Sequence, residues 1–231
     1  MTSTFPELVA RARALVAGGR RAVLGIAGPP GAGKTTLAES LLAELAAAPP
    51  DGHTPGTWVA HVPMDGFHLA DVELDRLGLR DCKGAPDTFD AWGYAALLRR
   101  FLADENETVY APNFERILEQ PIAGAISVPR TTHLLLTEGN YLLLPDGRWA
   151  GLSGLFSEVW YADLEPAERR RRLIARHVRF GKEPDAAVAW ATGTDERNAA
   201  LIAATRPMAD LVVPSALLRS LGADPGDGFS P

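Results

Sequence analysis

Cysteine is almost missing from this chain. Cys82 is the only one in 231 residues, so no internal disulfide can form, and a reducing compartment such as the cytoplasm fits. Long apolar runs are missing too. No stretch approaches the ~18 residues of a membrane-spanning helix. The opening residues, MTSTFPELVARARALVAGG, lack the apolar centre and small-residue cleavage site of a signal peptide, and none is expected. Positive charge is in deficit: 23 Lys and Arg stand against 29 Asp and Glu, a net charge of −6. That balance argues against a general nucleic-acid binder or an anionic-membrane binder. Repeats and low-complexity tracts are absent as well. What remains has the composition of an ordinary globular protein, 46% hydrophobic and 23% charged, long enough for one α/β domain.

Against this plain background one stretch is unusual. GIAGPPGAGKTTLAES, residues 25–40, matches G-x-x-x-x-G-K-[ST] through Gly28, Gly33, Lys34 and Thr35. Glycines here let backbone N–H groups converge on an anion. A helix that starts at Lys34 adds unpaired N–H groups and the positive end of its dipole. The loop Gly28, Pro29, Pro30, Gly31, Ala32, Gly33, Lys34, Thr35 and Thr36 is therefore the candidate phosphate cradle. Lys34 is placed to reach the β- and γ-phosphates, and Thr35 to hold Mg²⁺. The context agrees: an apolar strand, AVLGIA, precedes the motif and a helix to about Ala48 follows.

Apolar periodicity and turn residues divide the rest. A helix is expected over 5–17, a strand over 58–65 ending at Asp65, and a polar excursion over 66–88 with one short helix. FDAWGYAALLRRFLAD reads as a helix, and 105–130 as a second excursion with a hairpin. Strands are expected at 133–144 (running into a loop), 159–162 and in ADLVVPS, with an Arg-rich helix in 165–182 and a partly helical segment in 183–206. Residues 1–221 read as one domain and 222–231 as a flexible tail. Strands alternating with helices imply a parallel sheet covered on both faces, a three-layer α/β fold.

Two acids are candidates for chemistry. Asp65 falls at a strand end, where α/β sheets bind ligands, and a carboxylate there can take a proton from a substrate hydroxyl. Glu138 closes the run HLLLTEG and is the candidate second carboxylate near Mg²⁺. On the Arg-rich helix, Arg169, Arg172, Arg176 and Arg179 share a face, and one or more of them can neutralise charge on a transferring phosphoryl group, Arg172 and Arg176 being the nucleotide candidates. The five histidines form no metal pattern: the strand-to-loop reading separates the side chains of His61, Asp65 and His68. Tryptophans and phenylalanines are expected in the core.

The ordered blocks GPPGAGKTT, MDGFH, KGAPDTFD, VYAPNFER, LLLTEGNYLLL, RRLIARHVRFGK and TRPMADLVV resemble the phosphoribulokinase/uridine kinase superfamily. The likeness is strongest to the branch holding bacterial pantothenate kinase and sugar-kinase-like proteins, and it runs from about residue 20 to 215. It implies a P-loop kinase fold, a lid helix over 165–183, ATP and Mg²⁺, a small-molecule hydroxyl acceptor and a homodimer. It implies Asp65 as catalytic base, Glu138 as the acid near Mg²⁺ and Arg176 as the lid arginine. It brings His68, Lys83, Tyr110, Glu115 and Arg116 to the acceptor side, and Asn198 and Arg206 to the nucleotide or acceptor pocket. Pantothenate kinases carry a histidine after the tyrosine of the VY block, where this chain has Ala111-Pro112. Glu115-Arg116 stands where sugar-kinase-like relatives carry Asp-Arg. The expected reaction is ATP-dependent phosphorylation of a sugar or polyol, with a nucleoside or pantothenate as alternatives. A different class, an NTP-driven switch acting on a protein, needs a catalytic glutamine or switch loop, and no obvious one is present. A nucleic-acid NTPase sits poorly with the net charge.

Overall fold

The computed structural model describes residues 4–105 and 107–222; the expected tail, apart from Gly222, lies outside the described residues. The chain opens with α1 (Phe5–Ala14), started by a capping box in which Thr4 and Glu7 satisfy each other's backbone. It stops three residues short of expectation, where the chain tightens into turns before Gly18-Gly19. Strand β1 (Ala22–Ala27) leads through the glycine-rich loop into α2 (Lys34–Ala47). Strand β2 is only Val59–His61 and does not reach Asp65. The ladder ends one bond later, Val62 N–H to Leu136 C=O, before the chain turns off at Pro63. Asp65 lies instead in a 3₁₀ turn, Met64–Phe67.

The first excursion holds one short helix, α3 (Asp71–Leu77). Helix α4 (Ala91–Ala103) is capped by Asp90, whose carboxylate accepts from Gly93 N–H. The second excursion is an antiparallel hairpin of β3 (Thr108–Glu115) and β4 (Gln120–Pro129). Then follow β5 (Leu134–Gly139), β6 (Glu158–Asp163) and α5 (Pro166–Arg179). The partly helical segment resolves into two helices, α6 (Pro184–Thr192) and α7 (Thr194–Ala203), broken at Gly193. Strand β7 (Leu211–Pro214) and α8 (Ser215–Leu221), a helix not anticipated, complete the described chain.

Five strands form a parallel sheet in the order β2-β5-β1-β6-β7. Alternation of side chains builds a core on each face. Val23, Leu135, Val159 and Tyr161 face the layer that holds α4 and the hairpin base. Leu24, Ile26, Leu134, Leu136 and Trp160 face the layer of α1, α2 and α8. Leu37, Leu41 and Leu45 make the buried stripe of α2, each contributing about 2 kcal/mol by burial. Both faces being covered explains why AVLGIA is buried at every position. The glycine-rich loop, the Asp65 turn and Glu138 all leave the sheet at its carboxyl edge, and there the cleft lies. Among the described residues no helix is long and apolar enough to cross a membrane.

Candidate active site

The cleft begins with an unfinished helix. Gly33 is the N-cap of α2 at φ +87°, a left-handed backbone suited to glycine. It has no side chain to cap the helix, and the first turn carries no acid, so the N-terminal N–H groups are left for an anion. Lys34, Arg116, Arg172 and Arg176 line the same cavity, of about 280 Å³, with Gly31, Gly33, Thr35 and Thr36 and no carboxylate. Arg172 is bonded to Glu168 at 2.6 Å, while Arg176 forms no ion pair within 4 Å among the described residues. Lys34 is buried, and burial pushes its pKa down to about 8. Its Nζ donates to Asn140 Oδ1 at 2.8 Å and to the Pro29 carbonyl at 3.2 Å.

Behind the lysine lies a hard-oxygen pair. Thr35 Oγ1 donates to Glu138 Oε1 at 3.0 Å. Glu138 is held above its ordinary carboxyl pKa, chiefly by burial and by the charge of Asp65. Tyr94 of α4 bonds Thr137 at 2.6 Å, and Thr137 donates to the Val62 carbonyl at 2.6 Å, which pins the end of β5 to the segment that carries Asp65. A hydroxyl and a carboxylate beside a phosphate cradle fit Mg²⁺, which prefers few protein oxygens and keeps phosphate and water as its other ligands. Among the described residues no group of three or more His, Cys, Asp and Glu is placed to hold a metal.

Asp65 stands at the centre. Arg116 Nη2 donates to its Oδ2 at 2.9 Å. Burial opposes ionisation of Asp65, but the electrostatic pull of His68, Arg116, Lys34 and Arg176 outweighs it and holds the carboxyl below its ordinary value. His68 is not separated from Asp65 as the sequence implied. The 3₁₀ turn folds back, so His68 Nδ1 bonds the Asp65 carbonyl at 2.7 Å and the ring lies between Phe89 and Phe114, at 4.0 and 4.7 Å. His61 also comes beside Asp65, in a small cavity with Thr35, Glu39 and Glu138. The turn meets the hairpin backbone to backbone: a Cβ on Gly66 would stand 2.3 Å from the Pro112 carbonyl oxygen, so only glycine fits.

Beyond Asp65 a cavity of about 370 Å³ opens between the first excursion, the turn end of the hairpin and α5–α7. Its walls carry Asp65, Asp71, Glu119 and Asp195 against Arg80, Lys83, Arg116 and Lys182 before the cradle side is reached at Arg176. Lys83 bonds Asp71 at 2.8 Å and the Glu119 carbonyl at 2.5 Å, Arg80 bonds Asp71 at 2.8 Å, and His177 meets Asp195 at 2.7 Å. Asn198 reaches the Gly84 carbonyl at 3.4 Å. Aromatic rings complete the walls. Phe114, Phe180 and Trp190 line this cavity, contrary to the expectation of a core role: hairpin and helix geometry turns them to the cleft.

Of the candidate residues, the structure brings Asp65, Lys34, Thr35, Glu138, Arg116, Arg172, Arg176, His68, Lys83 and Asn198 to one cleft. Five others stand apart. Arg169 is buried, donating to the Pro30 carbonyl at 3.3 Å and to Glu196 at 2.5 Å, so it braces the loop from behind. Tyr110 faces outward from the hairpin and is 61% exposed, since strand alternation buries Val109 and Ala111 instead. The Glu115 carboxylate accepts from Ile117 N–H in the hairpin turn. Arg206 pairs with Asp163 at 3.0 Å and is outside the three cavities. Arg179, on the shared face in sequence, reaches none of them either. Missed by the sequence were Asn140, which holds Lys34, and the His177–Asp195 and Arg80–Asp71 pairs. Asn140 had a signal, a polar residue two places after a strand-end acid; the pairs had none.

No protein-family model matches the chain. It is 34% identical over 183 residues to "Putative uridine kinase C227.14" of Schizosaccharomyces pombe, covering 78% of this chain and 76% of that one. It is 32% identical over 163 residues to a pantothenate kinase of Streptomyces avermitilis, covering 67% of this chain and about half, 47%, of the relative. The crystal structure of a "putative fructose transport system kinase" from Silicibacter sp. TM1040 superposes with a TM-score of 0.80 at 36% identity, over 92% of this chain and 100% of that one.

Proposed function

The chain belongs to the P-loop kinases of the phosphoribulokinase/uridine kinase superfamily, and on that premise we propose that it transfers the γ-phosphoryl group of ATP to a hydroxyl of a neutral sugar or polyol. One observation carries this reading: a cavity lined by four cations and no carboxylate adjoins a cavity of mixed charge that holds Asp65, and Arg116, bonded to Asp65, lines both. The first suits a polyphosphate. The second suits an acceptor with many hydroxyls and no net charge, because both signs of charge are mixed along its walls, Asp65 paired with Arg116 and Asp71 with Lys83 and Arg80. Pantothenate brings a carboxylate of its own, which such a pocket does not call for, and the histidine after Tyr110 is absent. Similarity to a protein described as a fructose transport system kinase supports the sugar side.

The chemistry asks little of the protein beyond position and charge. Lys34 and the N–H groups of the loop hold the β- and γ-phosphates, and Arg176 covers them. Thr35 and Glu138 are the residues that would hold Mg²⁺, which when bound neutralises phosphate charge. Asp65, ionised at neutral pH, takes the proton as the acceptor O–H breaks. The acceptor oxygen then bonds the γ-phosphorus, and the β–γ bridging oxygen leaves with ADP. Phe114 and the Asp71–Lys83–Arg80 group position the acceptor. The cytoplasm and a homodimer accompany this reading, and sedimentation tests the latter.

The testing experiment measures ADP release from Mg-ATP against sugars, polyols, nucleosides and pantothenate. Strong acceleration by one sugar or polyol is expected. A nucleoside or pantothenate as sole responder overturns the acceptor class. Slow hydrolysis unaffected by every compound would favour an NTP-driven switch.

A further inference from the structure

Three cavities lie side by side: the phosphate cradle, the acceptor pocket and the small cavity behind Thr35 and Glu138, the last two both lined by Asp65. Arg116 is the one residue common to all three. The sequence places it with the acceptor, at the end of a hairpin. In space its guanidinium is within electrostatic range of Lys34, Glu138 and Arg176, all on the donor side. Its Nη2 is bonded to Asp65, and its other N–H groups make no hydrogen bond to the described residues. A guanidinium offers five donors in a rigid fork, so one arm on a carboxylate leaves others for a phosphoryl oxygen.

The base of Arg116 is well anchored. It follows β3, whose Pro112 touches the Asp65 turn at Gly66, and Phe114 two residues earlier stacks on His68. The guanidinium itself lies 5.5 Å from the Phe114 ring centroid. Hairpin and turn therefore move as one body, and the arginine is delivered to the reaction centre from the acceptor side.

We propose that Arg116 is a catalytic residue of the donor half: it binds the γ-phosphoryl group with the free part of its fork while the other arm holds Asp65 toward the acceptor hydroxyl. A single residue then ties the proton acceptor to the group being transferred, and neutralises charge that develops there. The inference rests on the phosphoryl-transfer reading but not on which acceptor is used.

Nucleotide binding alone tests it. Calorimetry would compare Mg-ADP with the Mg complex of the non-hydrolysable β,γ-imido analogue of ATP, in wild type, Arg116→Ala, Arg116→Lys and Asp65→Asn. Arg116→Ala should weaken the imido analogue about 10-fold or more, as loss of a charge-assisted bond does, and change ADP less than about 2-fold. Arg116→Lys, which keeps the charge and spares the hairpin, should fall between. Equal loss for both nucleotides, or loss for neither, overturns the proposal. So does an Asp65→Asn variant that loses as much discrimination as Arg116→Ala, because Arg116 would then act only through the carboxylate. A wrong acceptor class shows in the turnover panel and leaves these affinities untouched.

Discussion

The two halves of the cleft solve opposite electrostatic problems within one side chain of each other. The donor half gathers Lys34, Arg116, Arg172 and Arg176 around bare helix N–H groups and admits no carboxylate to its lining. The acceptor half mixes Arg80, Lys83, Arg116, Arg176 and Lys182 with Asp65, Asp71, Glu119 and Asp195, and four phenylalanine and tryptophan rings stand among them. A site built for a polyanion keeps acids out of its lining, even where Glu168 and Asp65 hold Arg172 and Arg116 from outside it. A site built for hydroxyls mixes both signs along its walls, so that fixed dipoles read shape and direction. The difference teaches that a count of arginines says little; what distinguishes the halves is where the carboxylates are.

The largest break in this comparison comes at the junction. Asp65→Asn keeps the shape but cannot take a proton, and kcat should fall about 10²–10⁴-fold, with nucleotide affinity changed little. Turnover near wild type on the responding acceptor would remove Asp65 from its role.

Next comes the donor half. Lys34→Met should cost about 10²–10³-fold in kcat/KM for ATP. The same substitution has an opposite effect on stability. Burial lowers the Lys34 pKa from 10.5 to about 8, so below pH 8 the folded protein carries a charge it would rather shed. Between about pH 8 and 10.5 the unfolded chain binds the extra proton, and stability rises with pH. Without nucleotide or metal, Lys34→Met should therefore be more stable at pH 7 by up to about 3 kcal/mol and should lack that alkaline rise. Urea denaturation at pH 7 and 10 decides; parallel pH curves for the two proteins would refute the account.

The smallest effect sharpens the acceptor half. Phe114→Leu removes a ring that meets His68 and lies under Lys83 and Arg116. Acceptor KM should rise about 3–10-fold, on the scale of one aromatic contact, with KM for ATP unchanged. A rise in the ATP value instead would mean that Phe114 supports the cradle through Arg116.

Much of this was legible in the sequence because it is local. The cradle is nine consecutive residues whose backbone makes the site, so Gly28 to Thr36 can be read directly. Strand β5 announces itself by three leucines and carries Glu138 next to its end. Pro63 was legible as well, yet an apolar run alone does not say where the ladder between β2 and β5 ends. Arg169, Arg172, Arg176 and Arg179 show the limit of helical spacing. Three and four residues apart, they share a face, but that face runs from behind the loop to beyond the cleft, so one braces, two line the site and one reaches neither.

By itself, then, the sequence determined the class of the fold, the phosphate cradle and the strand-end acids, since each depends on backbone geometry and neighbours within a few residues. Only the tertiary structure decided the partnerships: Asp65 with Arg116, 51 residues apart, Lys34 with Asn140, 106 apart, and His177 with Asp195 across two helices. Charge pairing acts through space over a few ångströms. Which arginine meets a carboxylate and which is left for phosphate is settled when the hairpin and the helices pack on the sheet.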